Sequence, residues 1–413
     1  MMNILFISTS DFHGGAAIAA SRLLYALKSE GKKVKMVVRD KLGSDNYVFV
    51  AGESHKNKFN FYFERTVIFL KNRFSRKNLF DISIANSGVQ ITKLEEYKRA
   101  DIIHLHWINQ GMLSLSELEN ILKSGKKVVW TMHDMWPFTG ICHHAGICNN
   151  FEKGCGFCPY LKNPSSVDLS HQTFKKKSDI YSKGKITFVA CSEWLADLAV
   201  KSPIAAGHTV ISIPNPIDTD VYYPVENKDE LREKWRLPTD KKIILYAAAK
   251  ASDPRKGTEY LIKVAKKLAT ERCEDIIFLI VGNEGKQIAD KLTLPTVNMG
   301  YITPQQMPEI YNVSDLYVTP SLQENLPNTI MEAMACGTPC VGFNIGGIPE
   351  MIIHKENGYV SRYKDVTDFA EGILWSLFET DTATLSLNAH KRSTAEYNNQ
   401  NIAERYIKIY EAY

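Results

Sequence analysis

The chain has 413 residues, 44% hydrophobic and 23% charged, which excludes disordered and collagen-like classes. It is too long for one ordinary α/β domain and fits two of about 200 residues. The net charge of +4 argues against nucleic-acid binding by charge, but it hides an asymmetry: residues 1–213 carry 28 Lys+Arg against 18 Asp+Glu, and residues 214–413 carry 22 against 28. The two halves are expected to meet different partners.

The opening run Asn3-Ile4-Leu5-Phe6-Ile7 has no basic region before it and reads as a first strand, not a signal peptide. No apolar stretch approaches the ~20 residues of a membrane span, so a cytoplasmic location is expected. Strands are predicted over 3–8, 34–38, 47–51, 101–106, 127–132 and 187–191, with a helix from Ala16 to Leu27. The second half repeats the style, with strands over 243–247, 276–281, 316–319 and 340–344 and helices over 258–270, 327–336 and 366–378. Strands alternating with helices imply parallel, doubly wound sheets. The prolines in Ile213-Pro214-Asn215-Pro216 and Tyr223-Pro224 mark a linker. The expected organisation is a Rossmann-like domain over 1–215 with a Cys-rich insertion at 140–160, a second over 216–395, and a helix over 396–413 packing back toward the first. Such domains place a ligand in an interdomain cleft at the carboxyl ends of their strands.

The segment from Asp315 to Pro339 is the most informative. A strand ends near Thr319, a loop carries Glu324, Pro327 suits the first turn of a helix, and Gly337 suits its end. The helix start around Asn328 and Thr329 is a ready anion site, with Glu324 before it and Glu332 in its second turn. One carboxylate can then reach each end of a nucleotide diphosphate-sugar. Two glutamates separated by seven residues and followed by Ala-Met-Ala-Cys-Gly-Thr-Pro resemble the signature of retaining glycosyltransferases of family 4. Met299-Gly300-Tyr301-Ile302, Gly346-Gly347-Ile348-Pro349-Glu350 and Glu356-Asn357-Gly358-Tyr359-Val360 resemble flanking segments of that family, and cysteine-rich stretches like the one below occur in its exopolysaccharide members.

The resemblance implies a GT-B fold and a nucleotide diphosphate-sugar donor, UDP- or GDP-linked. It implies transfer to a growing surface polysaccharide or a lipid-linked oligosaccharide. By it, Glu324 hydrogen-bonds the donor sugar, Glu332 the ribose hydroxyls, and Gly300 and Tyr301 contact the base. The family usually carries Gly-Phe or Phe-Gly after the first glutamate; here Asn325, Leu326 and Pro327 follow, so one backbone contact to phosphate moves, with Asn328 or Thr329 as replacement. Lys250 and Lys256 occupy the family's Arg and Lys positions opposite the leaving diphosphate, with Arg255 beside them. With these cations and a helix start, no catalytic metal is expected. Gly14 and Gly15 follow the first strand, where small residues allow close approach of a diphosphate or simply a turn. His133 ends a strand and is implied to contact the donor sugar's 6-hydroxyl, the leaving phosphate itself taking the acceptor proton. His104 and His106 share a face of their strand, and His104 reads as an interior residue satisfied by backbone. A nucleotide-sugar epimerase or phosphorylase, or a non-catalytic nucleotide-sugar or glycan-binding subunit, are the alternatives.

Two features stand apart. Cys142, Cys148, Cys155 and Cys158 read as a structural zinc site of four thiolates or three plus a histidine, as buried free thiols, or as two disulfides. Cys191, Cys273, Cys336 and Cys340 read as core. Residues 54–78 carry seven basic residues, one acidic residue and six aromatics, a composition for peripheral membrane contact or for an amphipathic helix with solvated lysines.

Overall fold

A computed structural model describes residues 2–250, 253–272 and 274–412, so Cys273 and two residues after Lys250 lie outside the described residues. In β1 (Asn3–Ser10) every residue after Asn3 is buried. A strand apolar on both faces belongs inside a parallel sheet covered by helices. That sheet contains β1, β2 (Lys33–Asp40), β3 (Val48–Val50), β4 (Ile102–Leu105), β5 (Lys127–Met132), β6 (Ile186–Ala190) and β7 (Thr209–Ser212), in the order β3-β2-β1-β4-β5-β6-β7. All of its pairings are parallel. The second sheet contains β8 (Lys242–Lys250), β9 (Ile276–Asn283), β10 (Thr296–Gly300), β11 (Leu316–Thr319), β12 (Cys340–Phe343) and β13 (Gly358–Ser361), in the order β10-β9-β8-β11-β12-β13. It too is parallel throughout.

The chain divides into two compact units. The first holds the seven-stranded sheet and runs to Asn215, joined by the segment from Ile402 onward; the second runs from Pro216 to Asn401. In the first unit one sheet face packs on helix Gly15–Ser29 through Ala20, Leu23, Leu24 and Leu27, and on Ile402, Tyr406 and Tyr410 of helix Asn399–Glu411. Each buried leucine of this kind contributes about 1.5–3 kcal/mol. The second unit's core gathers Ile244, Phe278, Ile280, Val318 and Val341 of the sheet with Leu261, Val264, Ala265 and Leu268 of helix Thr258–Arg272.

β7, β10 and β13 are not among the predicted strands. They are short; β7 and β13 close an edge of their sheets, β10 the opposite edge of the second, and none carries a continuous apolar run. The order reverses between β1 and β4 in one sheet and between β8 and β11 in the other. In such sheets ligands bind outside the carboxyl ends of strands at this switch point. Among the described residues no helix is long and apolar enough to cross a membrane.

Candidate active site

In the second unit the loops leaving β8 and β11 are stitched together. Asp253 accepts the Arg255 N–H at 2.9 Å and caps the turn Pro254–Lys256. Gly257 then adopts φ +69°, and a Cβ there would stand 1.7 Å from the Pro320 carbonyl oxygen, so only glycine fits. The Leu322 N–H donates to the Arg255 carbonyl at 2.7 Å. From the other side, a Cβ on Gly346 would lie 1.9 Å from the Glu324 carbonyl oxygen, and the Gly347 N–H donates to the Asn325 carbonyl at 2.7 Å. The result is a Lys256 Nζ to Glu324 Oε1 ion pair of 2.5 Å.

Two of the other expected cations have different partners. Lys250 Nζ lies 3.3 Å from Glu284 Oε1. The Arg255 guanidinium is held by Asp253 at 2.7 Å. Helix Asn328–Ala335 begins one residue later than predicted: Pro327 is its N-cap, with extended ψ, and supplies no capping side chain. Gly337 ends it at φ +74°, as its position after the helix predicts. Glu332 is buried and accepts the Tyr311 hydroxyl at 2.7 Å. Tyr317 donates to the Thr329 hydroxyl at 2.8 Å. Asn325 and Leu326 are buried, Gly300 closes β10 at φ +64°, and Tyr301 beyond it is exposed. Sequence reasoning missed Tyr311, Tyr317 and Glu284, because each reaches its partner across elements distant in the chain.

In the first unit, Gly14 stands after β1 at φ +91° with open space where a Cβ would point, and Gly15 starts the helix. The ends of β4 and β5 bring three imidazoles into a ladder. The His104 and His106 rings lie 4.3 Å apart, and His106 Nδ1 is 3.2 Å from His133 Nε2. His133 Nδ1 in turn is 3.6 Å from Cys191 Sγ, whose thiol donates to Asn215 Oδ1 at 3.1 Å. The partners of His104 are not backbone, as predicted, but the Thr131 and Tyr410 hydroxyls at 2.8 and 2.7 Å. Cys191 is likewise a hydrogen-bonding member of the ladder as well as a core residue.

Burial holds the His104 and His106 pKa values well below the ordinary 6.5 and holds that of His133 at about 4, against the opposing pull of Asp134. His133 is therefore neutral at pH 7 and suited to hydrogen bonding. In the pH range between 4 and 6.5 the unfolded chain binds more protons than the folded one, so stability falls on acidification. The melting temperature of the protein is expected to drop progressively from pH 6.5 to pH 4. A His104→Gln, His106→Gln variant should show a shallower drop across that window, and an unchanged slope in the variant would contradict the assignment.

Asp134 fixes the loop that follows. Its carboxylate accepts from Trp107 Nε1 at 2.8 Å and pairs with His143 Nδ1 at 2.7 Å, and His143 Nε2 meets the Ser83 hydroxyl at 3.0 Å. Burial raises the Asp134 pKa, but His143, His144 and the Trp136 N–H together pull it down to about 2. This Asp–His–Ser chain is structural in its setting: Ser83 is fully buried and also accepts from Arg65. Cys142, Cys148, Cys155 and Cys158 carry free thiols. Among the described residues no three His, Cys, Asp or Glu side chains are drawn into metal-holding geometry.

A model described as Glycosyltransferase Family 4 matches residues 13–221, and one described as Glycosyl transferases group 1 matches residues 227–392. The chain belongs to glycosyltransferase family 4. It is 24% identical over 324 residues to WcaC of Escherichia coli strain K12, named for colanic acid biosynthesis, covering 75% of each chain. It is 24% identical over 348 residues to the UDP-Gal:α-D-GlcNAc-diphosphoundecaprenol α-1,3-galactosyltransferase of Escherichia coli, covering 82% of this chain and 81% of that one. Among solved structures, sucrose-phosphate synthase from Thermosynechococcus elongatus superposes with a TM-score of 0.69 at 18% identity, covering 100% of this chain and 99% of the other. The two parallel α/β sheets are thus those of the GT-B fold, and the glycosyltransferase reading stands over the epimerase and binding-subunit readings.

Proposed function

We propose that this glycosyltransferase moves a sugar from a UDP- or GDP-sugar to a lipid-linked oligosaccharide or growing surface polysaccharide, with retention at the anomeric carbon and without a catalytic metal. The observation that carries the reading is the Lys256–Glu324 pair at the β8/β11 switch point, with Glu332 in the helix just beyond. In this reading Glu324 binds sugar hydroxyls and Glu332 the ribose, its carboxylate already oriented by Tyr311. Lys256 and Lys250 face the diphosphate, whose negative charge grows as the glycosidic bond breaks, while the start of helix Asn328–Ala335 receives phosphate. A donor diphosphate competes with Glu324 for Lys256 and frees that carboxylate for the sugar. His133, neutral at pH 7, serves as a hydrogen-bonding contact to the sugar, and the departing phosphate accepts the acceptor's proton.

A relative named for UDP-Gal and a diphosphoundecaprenol-linked acceptor supports this donor and acceptor class. The test is a thermal-shift panel of UDP- and GDP-sugars, in which a ligand at 100 times its Kd adds about 2.7 kcal/mol. Nucleotide release is then followed with and without lipid-linked acceptor. Release that requires acceptor supports transfer; binding without release on any acceptor supports a binding subunit instead.

Membrane contact through residues 54–78 is part of the proposal, and helix Ser54–Lys71 supports it by burying charged residues while exposing aromatic ones. Of its four buried residues three are polar, Asn57, Glu64 and Arg65, and only Ile68 is apolar. Glu64 Oε1 accepts the Ile84 and Ala85 N–H groups at 2.8 Å each, Arg65 pairs with Glu64 at 2.9 Å, and Asn57 donates to the Ala51 carbonyl at 2.8 Å. Its outer face presents Phe59, Tyr62, Phe63 and Leu70, with Phe74 following, all exposed at helical spacing. Lys58, Lys71, Arg73, Arg76 and Lys77 flank them, exposed. Apolar rings bordered by cations suit an anionic lipid surface. A Phe59→Ser, Tyr62→Ser, Phe63→Ser variant is expected to lose sedimentation with phosphatidylglycerol vesicles while melting like the parent. Equal sedimentation would overturn this contact.

A further inference from the structure

The four clustered cysteines line one cavity without any bond between them, and no three of them stand in metal-holding geometry before an ion binds. Cys142, Cys148, Cys155 and Cys158 line one cavity of about 10 Å³, together with Ala145 and Phe151. That volume is about that of one water-sized sphere. The backbone bends sharply to bring them there: Gly154, Cys155, Gly156 and Phe157 all have positive φ, of 92°, 58°, 103° and 47°. Two of these four are not glycine, and conformations that cost energy persist only where the surroundings enforce them. Cys155 Sγ accepts the Gly140 N–H at 3.2 Å. The Asp168 carboxylate accepts the Cys158 and Ser170 N–H groups, each at 2.9 Å, and fastens the loop to helix Leu169–Tyr181. His143, next to Cys142, has both ring nitrogens committed to Asp134 and Ser83, which removes it as a fourth donor.

We propose that Cys142, Cys148, Cys155 and Cys158 form a closed tetrahedral site for one zinc ion, which anchors the loop following His133. Zinc accepts four thiolates at about 2.3 Å, so binding draws the sulfurs in from the cavity wall. Each thiol releases its proton to solvent as its sulfur donates to the metal, with no change of oxidation state. A closed four-sulfur site leaves no open position, so its role is structural. Through Cys142 it tethers His143, and through the His143–Asp134 bond it tethers the residue beside His133.

The full-length protein, expressed in zinc-supplemented medium and purified without chelator, should contain about one zinc per chain by elemental analysis. Titration with a mercurial thiol reagent in the presence of a zinc indicator should release it. Because a Cys155→Ser, Cys158→Ser variant also disturbs the bond from the Gly140 N–H to Cys155 Sγ that holds the loop, cobalt substitution of the parent serves as the second measurement: tetrahedral thiolate coordination gives intense sulfur-to-cobalt charge-transfer bands. Metal-free protein, an iron chromophore, or an intact mass lowered by the hydrogens of two disulfides would each overturn the proposal. So would full zinc retention in the folded double variant.

Discussion

Replacing Lys256 with Met is expected to lower kcat by about 10²–10³ with little loss of stability. The two effects separate because they draw on different physics. In the free protein the Lys256–Glu324 pair is partly open to solvent, with 36% of the lysine side chain exposed, and a pair in that setting is worth no more than about 1 kcal/mol. On the proposed reading the same ammonium faces, in the transition state, a diphosphate that is gaining charge. Removing one such preorganised donor typically costs about 2.7–4 kcal/mol of barrier. Lys256→Arg should recover part of the rate, because it keeps the charge while changing its geometry. Glu324→Gln should also depress kcat, and the Lys256→Met, Glu324→Gln double variant should lose less than the sum of the two, since each partner positions the other. Steady-state nucleotide release and denaturant midpoints measured on the same preparations check the separation. A Lys256→Met enzyme that turns over at the parent rate would remove the lysine from the site.

That pair shows what a sequence can and cannot disclose. Lys256, Gly257, Glu324 and Glu332 are readable because local rules govern them: a strand ends, a turn needs a left-handed glycine, and a helix starts with its carboxylate at a fixed offset. The β8 and β11 ends on which they sit follow from continuous apolar runs. The stitching that closes Lys256 onto Glu324 is tertiary. It depends on the Pro320 carbonyl lying against Gly257 and on Gly346 lying against Glu324, contacts that no local pattern encodes. Helix Ser54–Lys71 is similar. Its charge and aromatic content are visible in the chain, but its orientation is set by Glu64 satisfying the backbone of Ile84 and Ala85, some twenty residues away. His104 is the clearest failure of local reasoning. Its partner Tyr410 lies 306 residues along the chain, so only the folded structure brings the two together.

The contact between His104 and Tyr410 carries the second large expectation, a loss of about 3–5 kcal/mol for Tyr410→Ala. Tyr410 is 3% exposed and packs with Tyr406 and Ile402 onto the face of the first sheet. Truncating a buried aromatic forfeits its transfer free energy and leaves a cavity that the surrounding sheet fills only in part. Tyr410→Phe keeps the ring and removes only the hydroxyl, leaving one nitrogen of His104 buried without its partner, at a cost of about 1–3 kcal/mol. The difference between the two variants therefore divides packing from hydrogen bonding. Tyr406→Phe should couple to Tyr410→Phe, because Tyr406 meets Thr131 at 2.8 Å and Thr131 meets His104 at 2.8 Å, making one continuous chain of hydroxyls and imidazole. Denaturant midpoints at constant m-value measure all three. If the helix from Asn399 to Glu411 were merely laid on the surface, Tyr410→Ala would cost less than about 1 kcal/mol, the usual range of surface substitutions being within 0.5 kcal/mol of zero. The imidazole ladder that ends at His133 would then have to be held by the sheet alone. If the larger loss is found, the last turns of the chain are a structural part of the unit that carries His133.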